Sequence, residues 1–340
     1  MSAVAADAPA APPRIEWTFD SANPVIVPGK LNPPFDAKRT AGAYVVTVGD
    51  RYRMYYWAGD RKNVNRICMA EAPINRPNQW RGRGAVLGPQ ADTMYNARGP
   101  VCPAVLPRKD GPWLMYMGAS PQYPPADERR VSYSALATSE DQGLTWKYVT
   151  REPLIAPERP AEGEGTGTLC VLRETDEYRM YYTKIAGFET RPATCRSLSW
   201  QEDEIPIVGI SYATSKDGLA WKKAAGEFLV PPRRDAVFPY EHWVARPVVI
   251  RDGAGYRMWV SAYGTTYRVY SLTSADGLKW QWVPSRPADG DLGVGSPGAF
   301  DDMMRCYAMV VRHGDEYRVW YTGNSNGATG MGYATGRIAH

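Results

Sequence analysis

Cysteine, histidine and long apolar runs are scarce in this chain, and each scarcity removes a class of function. The five cysteines (68, 102, 170, 195 and 306) are odd in number and form no Cys-x-x-Cys pair. That argues against a disulfide framework and for reduced thiols in a cytoplasmic protein; Cys102, Cys170 and Cys306 read as small buried apolar residues. Three histidines with no His-Glu-x-x-His spacing leave a committed metal site without support, so no metal is expected. No Walker-type phosphate loop occurs, and no nucleotide cofactor is expected. No apolar run approaches the roughly 20 residues of a membrane span. The start, MSAVAADAPAAPPR, lacks the basic first segment and apolar core of a secretory signal. A net charge of +4 carries no basic block, which excludes an evident nucleic-acid or membrane partner.

What the chain does have is a repeat. Tyr52–Tyr56 reads YRMYY and returns as WLMYM from Trp113, YRMYY from Tyr178, YRMWV from Tyr256 and YRVWY from Tyr317, at intervals of 61, 65, 78 and 61 residues. Alternating aromatic and apolar side chains mark a strand buried between neighbours. A period of this length with several strands per unit is that of a propeller blade. The expectation is an all-β, five-bladed β-propeller with four antiparallel strands per blade, forming one domain over residues 14–340 behind a flexible Ala/Pro-rich tail, 1–13.

In each blade, strand A is the apolar run before the motif (Tyr44–Val48, Ala104–Leu106, Leu169–Leu172, Pro247–Ile250, Ala308–Val311) and strand B is the motif. Strand C follows, and strand D carries Trp80, Trp146, Trp221 or Trp280, three of them preceded by Asp/Gly turns such as SEDQGLTW. The fifth unit stops without a Trp strand, while Trp17 near the N-terminus has none of its own. The N-terminal strand is therefore expected to complete the last blade and remove the free edges.

Innermost strands converge on the axis, where the loops of one face should carry chemistry. Sixteen residues ahead of the motif stand Asp36, Ala97, Glu162, Tyr240 and Asp301; fourteen ahead stand Lys38, Gly99, Glu164, His242 and Met303. Asn96, Arg98, Glu241, Asp302 and Arg305 flank these columns, and Arg246 lies further in. Carboxylates gathered on an enclosed floor repel one another, which splits their pKa values into an acid and a base, as glycosidic cleavage requires. Asp36, Glu162, Glu164 and Asp301 are the candidate catalytic acids. Lys38, Asn96, Arg98, Glu241, His242, Arg246, Asp302 and Arg305 are candidate binding groups for hydroxyls, a carboxylate or a phosphate. Tyr95, Trp243 and Tyr263 are candidates to stack on a sugar. His242 could orient water, bind phosphate, help to hold a metal or serve as a hydrogen-bonded structural residue.

Five YRMYY-like repeats with acids at the starts of the innermost strands resemble the five-bladed propeller glycosidases, glycoside hydrolase families 32, 43 and 68, with the mannoside phosphorylases of family 130 as cousins. The resemblance implies Asp36 as base or nucleophile and Glu164, in EGEGT, as general acid, with Glu162 an equal candidate on sequence. It also implies an acid in blade two, where this chain has Arg98-Gly99-Pro100; either Asp301, Asp302 or Glu241 takes over that role, or the site no longer hydrolyses glycosides. Three readings follow: a glycoside hydrolase-like enzyme acting on a small sugar conjugate, a phosphorylase or nonhydrolytic enzyme on the same scaffold, and a glycan- or metabolite-binding propeller without turnover. The segment 184–207, with Arg191, Arg196 and Trp200, is expected to project over the axial mouth as a lid or specificity loop.

Overall fold

The computed structural model describes residues 12–121, 132–226, 228–234, 241–285 and 289–339, and these are almost all strand, turn and loop. Of the expected tail, residues 1–11 lie outside the described residues, as does Tyr240 of the inner column. The strands fall into antiparallel groups of four. The first group is β2 (Arg39–Val48), β3 (Arg51–Gly59), β4 (Asn65–Pro73) and β5 (Arg81–Leu87); the second is β6 (Gly99–Leu106), β7 (Trp113–Ser120), β8 (Tyr133–Ser139) and β9 (Lys147–Tyr148). Then come β10 (Gly165–Arg173), β11 (Tyr178–Thr190), β12 (Glu204–Ser215) and β13 (Lys222–Lys223), followed by β14 (Trp243–Asp252), β15 (Gly255–Tyr263), β16 (Tyr267–Ser274) and β17 (Gln281–Trp282). These two groups share one eight-stranded sheet through a single parallel pair, Val208 with Trp243. The last group is β18 (Cys306–His313), β19 (Glu316–Thr322) and β20 (Met331–Ile338), completed by β1 (Ile15–Phe19) from the N-terminus, which pairs from Ile15–Ile338 to Phe19–Ala334.

The first strand of each group packs on that of the next: β2 on β6, β6 on β10, β10 on β14, β14 on β18, and β18 back on β2. Second strands are buried on both faces because each sheet is covered by two others, which is why the motif is apolar at successive positions. Its fourth residue stitches one group to the following one. Tyr55 O–H donates to Gly143 O (2.8 Å), Tyr116 O–H to Gly218 O (2.9 Å) and Tyr181 O–H to Gly277 O (3.0 Å). Each of these rings meets the Trp of the same turn edge-on: Tyr55–Trp146, Tyr116–Trp221 and Tyr181–Trp280 at 5.7–5.9 Å. Where the fourth residue is Trp320, its Nε1–H reaches Pro77 O (3.2 Å) and its ring meets Trp80. The Asp/Gly turns are held internally, with Asp141, Asp217 and Asp276 each accepting backbone N–H groups of the residues that follow. The residues Trp80, Trp146, Trp221 and Trp280, expected inside strand D, each sit one residue ahead of it.

Two expectations are corrected. The innermost strands begin earlier than their apolar runs, and the segment 184–207 is not one excursion: β11 runs to Thr190 and β12 starts at Glu204. The loop proper, 191–203, is closed by Arg191 N–H to Asp203 O (2.7 Å).

The early start of the innermost strands has a structural cause. Every pairing of a first with a second strand contains a β-bulge at the equivalent place: Gly42-Ala43, Cys102-Pro103, Gly167-Thr168, Arg246-Pro247 and Tyr307-Ala308. Four of the leading residues have positive φ: Gly42 (54°), Cys102 (47°), Arg246 (57°) and Tyr307 (51°). Bulges bend a strand and re-aim its side chains, and left-handed non-glycine residues store about 1–3 kcal/mol each when the surroundings fix them. Gly42 is the glycine among them because a Cβ there would run into Cys102 Sγ.

Candidate functional site

These bulges surround a cavity of about 340 Å³. All first strands contribute to its wall: Arg39, Cys102, Thr168, Arg246 and Tyr307 come from β2, β6, β10, β14 and β18. Trp57 at the end of β3 lies beneath the Arg39 guanidinium (4.8 Å) and donates Nε1–H to Asn65 Oδ1 (2.9 Å). Lys38 Nζ donates to Asn63 Oδ1, and Arg98 Nη2 to Asn63 O (3.3 Å). Thr168 and Thr183 share a hydroxyl hydrogen bond (2.9 Å), and both accept the Arg246 backbone N–H (3.1 Å).

Among the described lining residues the carboxylate is Asp60. Its Oδ1 accepts the N–H groups of Lys62 (2.8 Å) and Val64 (2.9 Å), and Oδ2 pairs with Arg66 (2.8 Å). Partial burial raises its pKa, but the Val64 N–H and Arg66 outweigh this and hold it below the usual carboxylate range. Asp60 is therefore ionised at neutral pH, suited to accepting a proton or attacking rather than donating.

Arg246 is the deepest cation. Its guanidinium is buried and spans to the bulges of two other groups: Nη2 donates to Gly42 O (3.1 Å), Ala43 O (2.9 Å) and Pro103 O (3.2 Å), and Nη1 to Cys102 O (3.4 Å). No ion pair joins it to a described carboxylate, and its buried Nε–H has no hydrogen-bond partner.

Of the residues expected at the site, Lys38, Arg98, Arg246 and Trp243 line this cavity, and the acids do not. Asp36 is wholly buried, with Oδ2 accepting Asn32 N–H (2.9 Å) and Tyr56 O–H (3.0 Å). Asp301 pairs with Arg305 (2.6 Å) and accepts Tyr321 O–H (2.9 Å); Arg305 in turn stacks over Phe19 (3.8 Å). Glu164 accepts the N–H groups of Glu158 (2.9 Å) and Arg159 (2.6 Å) and stands 3.6 Å from Lys184. Glu162 is exposed and pairs with Arg159 (2.8 Å). Each carboxylate is thus engaged within its own group of strands.

The remaining candidates also have local partners. Glu241 forms a fork with Arg233 (2.6 Å), whose guanidinium lies over Trp282 and Tyr270. Asp302 caps Gly298 N–H (2.7 Å) and accepts Asn324 Nδ2 (2.7 Å), while Asn96 Nδ2 reaches Gln90 Oε1 (3.4 Å). His242 is buried with Nδ1 beside Pro206 O (3.3 Å), its ring edge-on to Tyr263 and Trp200. Burial pushes its pKa down to about 4, so the ring is neutral at physiological pH. Tyr95 turns its hydroxyl to Gln90 (2.7 Å), and Tyr263 takes the Ser199 N–H (3.0 Å). Trp200 stacks on the cavity residue Trp243 (5.6 Å), which fastens the 191–203 loop to the rim.

Sequence reasoning missed Arg39, Trp57, Asp60, Cys102 and Tyr307. The signal that finds four of the wall residues is the bulge column, ten or eleven residues ahead of the motif, which reads Gly42, Cys102, Gly167, Arg246 and Tyr307, all but Gly42 in the wall.

Solved structures superpose on nearly the whole of this chain. A glycosyl hydrolase from Bacteroides ovatus does so with a TM-score of 0.67 and 16% identity, over 94% of this chain and 93% of that one. A thermostable family-43 glycoside hydrolase gives 0.60 and 18%, over 92% and 91%. The fold is that of the glycosidase-like propellers. A structure from family 130, described as a family of mannoside phosphorylases containing glycoside hydrolases that target β-1,2 mannosidic linkages in Candida mannan, gives 0.67 and 15%, over 94% and 93%. At these identities the likeness is one of fold. In sequence, the chain is similar to an uncharacterized protein of Mycobacterium tuberculosis, in strains CDC 1551 and H37Rv, at 34% identity over 196 residues. That match covers 56% of this chain and 62% of the relative. No family model matches the sequence. Among the described residues no helix is long and apolar enough to cross a membrane.

Proposed function

We propose that residues 14–340 form one five-bladed propeller that binds a small carbohydrate derivative in the cavity at its axis and cleaves or transfers its glycosidic bond. The observation that carries this reading is the ring of bulges: every innermost strand breaks its ladder at the same place, and four of the five bulges, at Cys102, Gly167-Thr168, Arg246 and Tyr307, put a residue into the wall of one cavity. Hydroxyls of Thr168 and Thr183, the amide of Asn63 and the face of Trp57 are groups that suit a sugar's alternating polar edge and apolar face. The cavity's size fits a small ligand rather than a polymer. Buried, unpaired thiols at all five cysteines support a reducing compartment such as the cytoplasm.

Asp60 is the group we assign as base or nucleophile, because it is held ionised in the cavity wall. The acid for the departing oxygen we assign, as the family resemblance implies, to Glu164, which is buried beside Lys184 and stands outside the described cavity lining, three residues ahead of Gly167. Asp36 and Asp301 we assign to holding the loops that enter β2 and β18. Turnover on a panel of aryl glycosides tests this. Asp60→Asn and Glu164→Gln should each cut kcat by about 100-fold or more, within the range of general acid–base effects, while ligand binding persists. Full activity in both variants would refute the assignment. A second reading, binding without turnover, is favoured by Asp60 being the one carboxylate among the described lining residues, and no turnover by the unaltered chain on any glycoside would support it.

A further inference from the structure

We infer that the deep end of the cavity is an oxyanion site built on Arg246, so that the ligand presents a carboxylate or a phosphate to it. This rests on the reading of the cavity as a carbohydrate site and narrows it to acidic or phosphorylated sugars.

Charge comes first. Lys38, Arg39, Arg98 and Arg246 line the cavity against one described carboxylate, and Asp60 already answers Arg66 outside that set. Arg246 is 1% exposed, and all its acceptors are neutral backbone carbonyls of the Gly42, Ala43, Cys102 and Pro103 peptides. A buried guanidinium without a counter-ion is held at a large desolvation penalty, which an incoming oxyanion would offset.

Among the described residues, nothing supplies that counter-ion. Arg246 acts electrostatically on the ionisable groups Tyr44, Cys102 and Cys170. Burial pushes all three upward, Cys170 to about 11, which keeps them neutral. What remains available is the Nε–H, buried and without a partner on a residue that lines the cavity. The side chain cannot swing to meet a solvent ion, because four carbonyls and the left-handed backbone at φ 57° fix it. That is preorganised electrostatic recognition: donor, charge and strain are set before the ligand arrives. Arg98 and Lys38, nearer the mouth, add attraction that draws an anion inward.

The test is calorimetric titration of the full chain with four probes: D-glucose, D-glucuronate, glucose 6-phosphate and inorganic phosphate. At least one anionic probe should bind about tenfold or more tighter than glucose, as expected of a desolvated charge-assisted contact, and its Kd should rise with added salt. Arg246→Met should abolish that preference. Because Arg246 also ties three groups of strands together, Arg98→Gln at the half-exposed mouth is the second variant, expected to weaken the anion about threefold or more and glucose hardly at all. Preference for glucuronate identifies a carboxylate source, and preference for glucose 6-phosphate a phosphate ester. Glucose binding as tightly as every anion overturns the inference, as does an unchanged preference in a folded Arg246→Met or in Arg98→Gln. So does failure of all four probes to bind at about 10 mM, a concentration at which even weak contacts register. The two proposals fail separately: anion binding with no contribution from the sugar ring leaves the oxyanion site standing and removes the carbohydrate reading. Cleavage of neutral glycosides with no preference for charge does the reverse.

Discussion

Replacing Asp36 by alanine separates a loop anchor from a catalytic acid. Asp36 is at the centre of a buried network. Its Oδ2 takes Asn32 N–H and Tyr56 O–H, while the Asn32 side chain donates to Tyr56 (2.8 Å) and Met69 O (3.0 Å) and accepts Gly84 N–H (2.7 Å). One carboxylate thus fixes the loop before β2 against β3, β4 and β5. Each hydrogen bond to a charged group contributes about 1.5–3 kcal/mol, so losing two removes about 3–6 kcal/mol. Relief from burying the carboxylate returns part of this, leaving a net loss of about 3 kcal/mol. An unfolding entropy of about 2.1 cal/mol/K per residue over 340 residues gives about 0.7 kcal/mol/K, so Tm should fall by about 4 °C. Asp36→Asn keeps one acceptor oxygen and should lose about half as much. Differential scanning calorimetry reads the shift, and turnover is measured on the same samples below Tm. Asp36→Asn with an unchanged Tm and activity down by orders of magnitude would refute the anchor and restore Asp36 to the chemistry.

Asp141 and Asp276 have their pKa values held down to about 2, Asp141 chiefly by the Thr145 hydroxyl and Asp276 by the Lys279 N–H; Asp217 is lowered in the same way by the Ala220 N–H. Their folded values lie below the unfolded 3.8, so their stabilisation is present above about pH 4 and is lost as pH falls toward 2; the acid limb of the Tm–pH curve should flatten when all three are changed to Asn. His242 acts on a different window. Burial depresses it from 6.5 to about 4, so the unfolded chain binds the proton better and stability should decline from pH 6.5 downward; His242→Gln should remove that component, and an unchanged curve counts against its burial as a neutral ring. Tyr116→Phe removes the hydroxyl that joins the second group of strands to the third, and leaves Gly218 O without that donor. It should cost about 1 kcal/mol in urea unfolding with the m-value unchanged. Trp200→Ala withdraws the ring stacked on Trp243 and should raise KM with kcat little changed, since the loop it anchors borders the cavity without lining it.

The fold was legible because its contacts repeat. A Tyr at the fourth motif position goes with an Asp/Gly turn and Trp in the next group, as Tyr55 does with Gly143 and Trp146. A Trp at that position goes with a group lacking such a turn, as Trp320 does with Trp80. Local pattern and distant partner therefore carry the same information. The bulges were not legible for the opposite reason. Positive φ is read from glycine, and of the left-handed leading positions only Gly42 is one; Cys102, Arg246 and Tyr307 are held there by the surrounding strands. The apolar run therefore pointed to the half of each innermost strand beyond the bulge and missed the half that faces the cavity.

Two of the three acids in the column, Asp36 and Asp301, share a local partner, whereas Glu162, twenty residues before Tyr182, is exposed and pairs with Arg159 instead. Asp36 and Asp301 each lie twenty residues before a tyrosine that ends their own group's motif, Tyr56 and Tyr321, and each accepts that tyrosine's O–H. The second group has no hydroxyl at the equivalent place, Met117, and there the acid is replaced by Ala97. Acids that converge on one ligand need have no relation to the fifth residue of their own motif, whereas acids that pin an entry loop to the second strand must track it. Between Asp36 with Tyr56, Asp301 with Tyr321 and Ala97 with Met117, the pairing follows the strand rather than the axis. The charges that do line the cavity are the cations Lys38, Arg39, Arg98 and Arg246, with Asp60 the carboxylate among the described residues.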